Sequence, residues 1–311
     1  NDSVSFPSLS FKDRVVATAL NAAHAFGLTS VACASTGNLA NALAAAAAAA
    51  GLPAWIFIPS DLEAAKIIGT AIYGARLVRV RGTYDDVNRL CAQLADRFDW
   101  GIVNVNLRAY YGEGSKTMGF EIADQLDWRF PTAVIAPMAG GSLVTKLRKA
   151  FAELAAAGLA EGNLPRIYGA QASGCAPIVR FVQSNARSLI PERPQTIVRS
   201  LAIGNPADAA TAREAILRTG GWAHAVSDTD VVAGIRLLAE TTGIFTETAG
   251  GVTVAAAESL ARQGRLTPSD EIVLCVTGNG LKTTEVAATA IPEAAEIPAR
   301  LSAVEALVDA A

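Results

Sequence analysis

The sequence predicts an α/β protein of two lobes, each with a mainly parallel sheet flanked by helices. Three observations predict it. Short β-rich runs alternate with longer runs of helical spacing, and β-α-β order implies a parallel sheet with helices on both faces. Three tight glycine-bearing turns fall directly after strand-like runs, where open parallel sheets bind their ligands. The chain has 311 residues, 51% hydrophobic and 18% charged, enough for a sizeable core and two lobes.

In order along the chain, "FPSLSFKDRVV" (6–16) opens a first apolar-periodic run. "SVACAS" (30–35) precedes an alanine-rich helix, Leu39 to Leu52, closed by Gly51 and Pro53. "AWIFIP" (54–59) precedes "DLEAAKIIGTAIYG", and "RLVRVRG" (76–82) precedes "TYDDVNRLCAQLADRF". "GIVNV" (101–105) leads through a loop to "GSKTMGFEIADQL", and "AVIAP" (133–137) to "SLVTKLRKAFAELAAAG". "RIYGAQA" (166–172) precedes another helix, and "EIVLCVT" (271–277) is the last strand-like run. The expected division is a smaller mobile lobe over 29–106 and a larger one over 1–28 and 107–290. A tail follows over 291–311, with prolines and then an apolar-periodic helix.

Composition excludes several functions. A net charge of -3 gives no broad electrostatic footprint for nucleic acid, and no apolar run has the length of a membrane span. No secretion signal is recognisable. The four cysteines, Cys33, Cys91, Cys175 and Cys275, show no ligand spacing and read as small buried hydrophobes in a reducing cytoplasm. With only His24 and His224 in the chain, neither a histidine metal site nor a Ser-His-Asp triad is expected. An enzyme built on this chain must move protons with something else.

Lys12 is the residue to explain. A helix start is unfavourable for a cation, so its amine is either a solvated surface charge or is wanted for chemistry. A dry cleft favours the neutral amine, which attacks carbonyls. The turn Ala139, Gly140, Gly141, Ser142, Leu143 joins a strand to a helix. It suits an anion held by free N–H groups, or is a tight turn with glycines for steric reasons alone. It matches neither the Walker A pattern nor the three-glycine dinucleotide fingerprint. Ser35-Thr36-Gly37-Asn38 either caps its helix or binds a carboxylate, with Asn38 aimed into the cleft. Thr277-Gly278-Asn279-Gly280 either places a hydroxyl at a ligand or is a plain turn.

In this order and spacing, "SFKDR", "ASTGNLANALAAAAAAAGL", "PMAGGS" and "CVTGNGLK" resemble fold type II, the tryptophan synthase β-family, of pyridoxal-phosphate enzymes. "LRAYYGEGSKTMGFEIADQL", "IYGAQASGCAPIVRFV", "IGNPA" and "GIFTETAGGVTVAAA" are similar to the threonine synthase branch. The resemblance runs from about Phe6 to about Lys282. It implies pyridoxal 5'-phosphate as cofactor and Lys12 as both Schiff-base lysine and general base. It also implies Asn38 at the cofactor's phenolic oxygen, 139–143 at its phosphate, Thr277 at its ring nitrogen, and Ser35, Thr36 and Gly37 at the substrate carboxylate. The implied reaction converts O-phosphohomoserine and water to threonine and phosphate, with Arg14, Asn106, Arg108 and Lys116 as candidates for the substrate phosphate. The alternatives are another lyase or synthase of the fold type, such as a threonine or serine dehydratase or a cysteate synthase-like enzyme, or a non-catalytic relative that binds the cofactor or a metabolite. A homodimer is compatible with each.

Four departures from the family pattern stand out. "FPSLSFKDR" has Ser8-Leu9 where relatives have Thr-Gly. Leu39, with Asn41 two positions on, replaces a hydroxyl residue. "AGGS" stands for Gly-Asn-x-Gly-Asn, and Asn279 for histidine.

Overall fold

A computed structural model describes residues 1–35, 37–60, 64–82, 84–291 and 294–309. The first half of the chain runs α1 (Lys12–Ala25), β1 (Ser30–Ala34), α2 (Asn38–Ala49), β2 (Ala54–Pro59), α3 (Ala64–Ala71), β3 (Arg76–Val80), α4 (Tyr84–Arg97), β4 (Trp100–Ile102) and α5 (Arg108–Gln125). Its four strands form one parallel sheet in the order β3-β2-β1-β4. The central strand β1 is buried along its whole length. Val31 and Cys33 join a core with α1 and α2, while Ala32 and Ala34 join one with Val87 and Cys91 of α4. A strand covered on both faces favours apolar residues at successive positions, which is why "VACA" (31–34) reads as a run and not as an alternation.

The second half runs β5 (Ala133–Pro137), α6 (Ser142–Ala156), β6 (Arg166–Ala172), α7 (Pro177–Gln183), α8 (Ala209–Arg218), β7 (Ala223–Val226), α9 (Asp228–Thr242), α10 (Thr248–Arg262), β8 (Ile272–Leu274), α11 (Thr284–Ala287) and α12 (Leu301–Val308). Its sheet is also parallel, in the order β7-β6-β5-β8. Strand β7 is absent from the sequence reading. It is a four-residue edge strand, "AHAV", with its two middle residues half-buried, so it carries no sustained apolar signal. Two expected strands are shorter than read: β4 gives way to a turn in which Val105 and Leu107 N–H groups bond back to the Ile102 carbonyl, and β8 stops at Leu274.

Helix α1 was expected with the larger lobe. Its Val15, Val16, Ala19 and Ala23 pack into the core of the first sheet, and the helix also lies along α5. The segment before it is tied to the other sheet: the Asp2 N–H bonds to the Val276 carbonyl at 2.9 Å and the Phe11 N–H to the Thr277 carbonyl at 3.0 Å. Lys12, the first residue of α1, therefore sits where the chain crosses from one sheet to the other. Tail helix α12 buries none of its residues.

Leu9 holds the left-handed backbone, φ 57°, where the resembled family has glycine. For an L-residue that conformation costs about 1–2 kcal/mol, while glycine's greater chain entropy costs about 0.5–1 kcal/mol. Leu9→Gly is therefore expected to leave stability unchanged or raised by up to about 1 kcal/mol, read from thermal unfolding. A clear loss would mean that packing of the Leu9 side chain outweighs the backbone.

Candidate active site

The carboxyl ends of both sheets face a cavity of about 200 Å³. Lys12, Ser35, Gly37, Asn38, Arg108, the whole turn 139–143 and Thr277 line it, although they come from five separate stretches of chain. Thr36 lies outside the described residues. The Lys12 amine donates a hydrogen bond to the Tyr111 hydroxyl and lies 4.5 Å from the centre of the Phe11 ring and 4.9 Å from that of Tyr111. Two aromatic faces thus shield it from bulk water while leaving it at the cavity wall.

The turn after β5 reverses direction through Gly141, at φ 93°. A Cβ there would stand 2.9 Å from Ala212 Cβ and 3.1 Å from the Asp208 carbonyl oxygen, so glycine is required by both conformation and space. Helix α6 begins at the next residue, and its first-turn N–H groups have no partner within the helix. This is a site for an anion. Thr277 is buried, 3% exposed, at the cavity's other wall.

The Ser35 hydroxyl accepts from the Gly37 and Ala40 N–H groups at 3.1 and 3.0 Å, so it caps α2. The Asn38 side chain donates to Oε1 of Glu247 at 2.7 Å. Leu39 lines the cavity, whereas Asn41 turns away, donating to Thr70 at 2.9 Å and accepting from Lys282 at 3.2 Å.

Three expected substrate residues do not reach the cavity. Arg14 follows Lys12 by two positions, about 200° around a helix, and faces the opposite side. There it pairs with Asp2 at 2.7 Å and Glu121 at 2.5 Å. Asn106 is exposed and folds back on the end of β4, accepting from the Ile102 N–H at 2.7 Å and donating to the Trp100 carbonyl at 2.9 Å. On α5, Arg108, Tyr111 and Ser115 share the face that lines the cavity, spaced by three and four residues as one helical stripe requires. Lys116 is off that stripe and pairs with Glu113 at 2.5 Å and Glu153 at 2.6 Å.

That ion cluster predicts a pH dependence. Burial would raise the Glu113 carboxyl, but hydrogen bonds from Lys116, Lys146 and Lys149 outweigh it and lower it from 4.5 to about 2. A depressed carboxyl stabilises the fold fully above its unfolded value and loses that contribution as pH falls through the folded one. Glu113→Gln is therefore expected to flatten the stability decline between about pH 4.5 and pH 2. Urea unfolding across that range measures it; an unchanged slope would show that solvent screens the cluster.

Glu247, Tyr111 and Asn104 also line the cavity and were not picked out from the sequence. Asn104 accepts from the Ala34 N–H at 3.1 Å and donates to Asn88 at 2.8 Å, which fixes the loop after β4 to the end of β1. The signal for Glu247 was available: a carboxylate directly before a small-residue helix start is favoured by the helix dipole. Tyr111 offers a signal only once the 108/111/115 stripe is recognised. Arg108 reaches across the mouth to Asp208 at 2.6 Å.

A family model described as "Pyridoxal-phosphate dependent enzyme" matches residues 1–278. The chain is 36% identical over 293 residues to a threonine synthase of Methanocaldococcus jannaschii, covering 94% of this chain and 72% of that protein. It is 34% identical over 300 residues to one of Methanosarcina acetivorans, covering 96% and 74%. Among solved structures it is similar to a fungal L-serine ammonia-lyase from Rhizomucor miehei, with a TM-score of 0.76 at 22% identity over 89% of this chain and 87% of that one. At that identity the likeness speaks for the fold.

Proposed function

The chain belongs to the pyridoxal-phosphate-dependent enzymes of fold type II, and from that premise we propose that it is a threonine synthase, a lyase converting O-phosphohomoserine and water to threonine and phosphate. The observation that carries the reading is the meeting of an amine, an anion-binding helix start and a buried hydroxyl in one cavity. Beside Lys12, Arg108 is the one cation among the described residues that line it. The strong sequence likeness to two threonine synthases supports the choice of substrate.

The residues present fit the cofactor. Lys12 would hold its aldehyde end, the 139–143 turn its phosphate, Thr277 its ring nitrogen and Asn38 its phenolic oxygen. When bound, pyridoxal phosphate supplies an electron sink that makes the Cα proton of an amino acid removable. The chain's own residues do the rest. Lys12 Nζ takes the proton from Cα and then from Cβ, and the Tyr111 hydroxyl keeps that nitrogen in place between turnovers. Backbone N–H groups at the start of α2, with Ser35, Thr36 and Gly37, hold the substrate carboxylate. Arg108 holds the phosphate that leaves, exchanging its partner Asp208 for the substrate dianion. The neutral hydroxyl of Thr277 leaves the ring a milder sink than a carboxylate would, which suits elimination and replacement at Cβ and Cγ. In this reading the 29–106 lobe closes on substrate. The enzyme works in the cytoplasm, where its four buried thiols stay reduced.

Phosphate release from O-phosphohomoserine should match threonine formed, with threonine and serine dehydrated far more slowly by the same cofactor-loaded sample. Fast dehydration without phosphate release would reassign the chain to a dehydratase. Arg108→Ala is expected to raise KM for O-phosphohomoserine by about tenfold or more while leaving residual dehydration of threonine unchanged.

A further inference from the structure

Glu247 has no part in the mechanism above, yet it is among the most deeply placed carboxylates of the fold, 1% exposed at the wall of the cavity. Its backbone is pinned: the Glu247 N–H bonds to the Gly278 carbonyl at 3.0 Å, and the Thr246 hydroxyl donates to the same oxygen at 3.0 Å. Its side chain needs the missing Cβ of Gly278, which would fall 2.3 Å from Oε1 and 2.6 Å from Cδ. That same Oε1 accepts the Asn38 amide at 2.7 Å. Two sheets are joined by this bond, since Asn38 starts α2 and Glu247 directly precedes α10.

An asparagine amide can face either way, presenting NH₂ or C=O. A carboxylate accepts and cannot donate, so it selects the NH₂ orientation. One of the two amide hydrogens goes to Glu247, and the other is left for a second acceptor. We propose that Glu247 is a positioning residue for the cofactor: it locks the Asn38 amide so that its remaining N–H faces the phenolic oxygen of pyridoxal phosphate. Without it, the amide is free to turn its carbonyl toward that electron-rich oxygen, and an attraction becomes a repulsion. The proposal rests on the cofactor reading given for Asn38.

The test is a double-mutant cycle read by cofactor affinity and by the visible absorbance of the bound cofactor, with no turnover needed. Glu247→Leu and Asn38→Ala are each expected to weaken pyridoxal phosphate by about tenfold or more and to move the pH midpoint of the visible band, as loss of a hydrogen bond to a charged group does. The double variant should be no worse than Asn38→Ala alone, because the two residues act as one unit. Glu247→Gln keeps an acceptor oxygen but can also donate to a reversed Asn38 amide, so its affinity should fall between the parent and Glu247→Leu. Gly278→Ala should resemble Glu247→Leu, since it displaces the carboxylate without removing it. Thermal unfolding without cofactor checks that each variant folds; where Glu247→Leu does not, Gly278→Ala and Glu247→Gln carry the comparison. Additive losses in the cycle, or parental affinity in Glu247→Leu or Gly278→Ala, would overturn the proposal. Normal affinity and spectrum in Asn38→Ala would instead overturn its premise, while leaving the role of Lys12 intact.

Discussion

Lys12→Ala is expected to cut turnover of O-phosphohomoserine by roughly 10³-fold or more and to remove the visible absorbance of the bound cofactor. The size follows from the two duties proposed for one nitrogen. The described residues around the cavity offer no second amine, and neither histidine of the chain lines it. Of the carboxylates that line the cavity, Glu247 is engaged by Asn38 and Asp208 by Arg108, so neither is placed to take over the proton transfers. The Tyr111 hydroxyl, the hydrogen-bond partner of the amine, holds that nitrogen in place. Folding should survive, because Lys12 lies at the open end of α1 and the buried side of that helix begins at Val15. The decisive comparison sets turnover and spectrum against the thermal midpoint of the apoprotein. A variant that keeps both its visible band and turnover within tenfold of the parent would remove Lys12 from the chemistry.

The second large effect is expected at Gly141→Val. A β-branched residue in the left-handed region costs about 1–2 kcal/mol. Pushing a Cβ against Ala212 and the Asp208 carbonyl costs about 1–3 kcal/mol more. The strain falls on the turn proposed to receive the cofactor phosphate, and on Asp208, whose own N–H bonds to the Gly140 carbonyl at 3.1 Å. Stability should fall by about 2–5 kcal/mol, and cofactor affinity should fall with it. Gly140→Ala is the matched control, because a Cβ there meets nothing within 4 Å. Its apoprotein should melt within about 0.5 kcal/mol of the parent. Equal melting of the two variants would show that the turn relaxes and that its geometry is not what glycine protects.

Much of the architecture was legible because buried parallel strands advertise themselves. "VACA" (31–34) and "AVIAP" are apolar at every position, as strands covered on both faces tend to be. The turns after them, and Lys12 at a helix start, were legible as places where backbone N–H groups or a costly charge invite a ligand. The resemblance to a known family joined those places into one site. What failed to show was structure that lacks local pattern. Strand β7 is short and sits at an edge. The position of α1 depends on which sheet offers it a partner, and nothing in "VVATALNAAHA" names that partner.

Charged residues divide the same way. The sequence by itself determined which side chains carry chemistry, and in which order along the chain they come. Only the tertiary structure decided which of them point into the cavity. Arg14 and Lys116 look as suitable as Arg108 in one dimension. Helical rotation turns the first two toward Asp2, Glu121, Glu113 and Glu153, and leaves Arg108 at the mouth. Glu247 meets Asn38 across 209 positions of chain, a contact set by how two sheets dock and not by anything adjacent in sequence. Periodicity and turn chemistry act over a few residues, so they are written locally; the direction of a side chain is the sum of every rotation before it, and that sum exists only in the folded molecule.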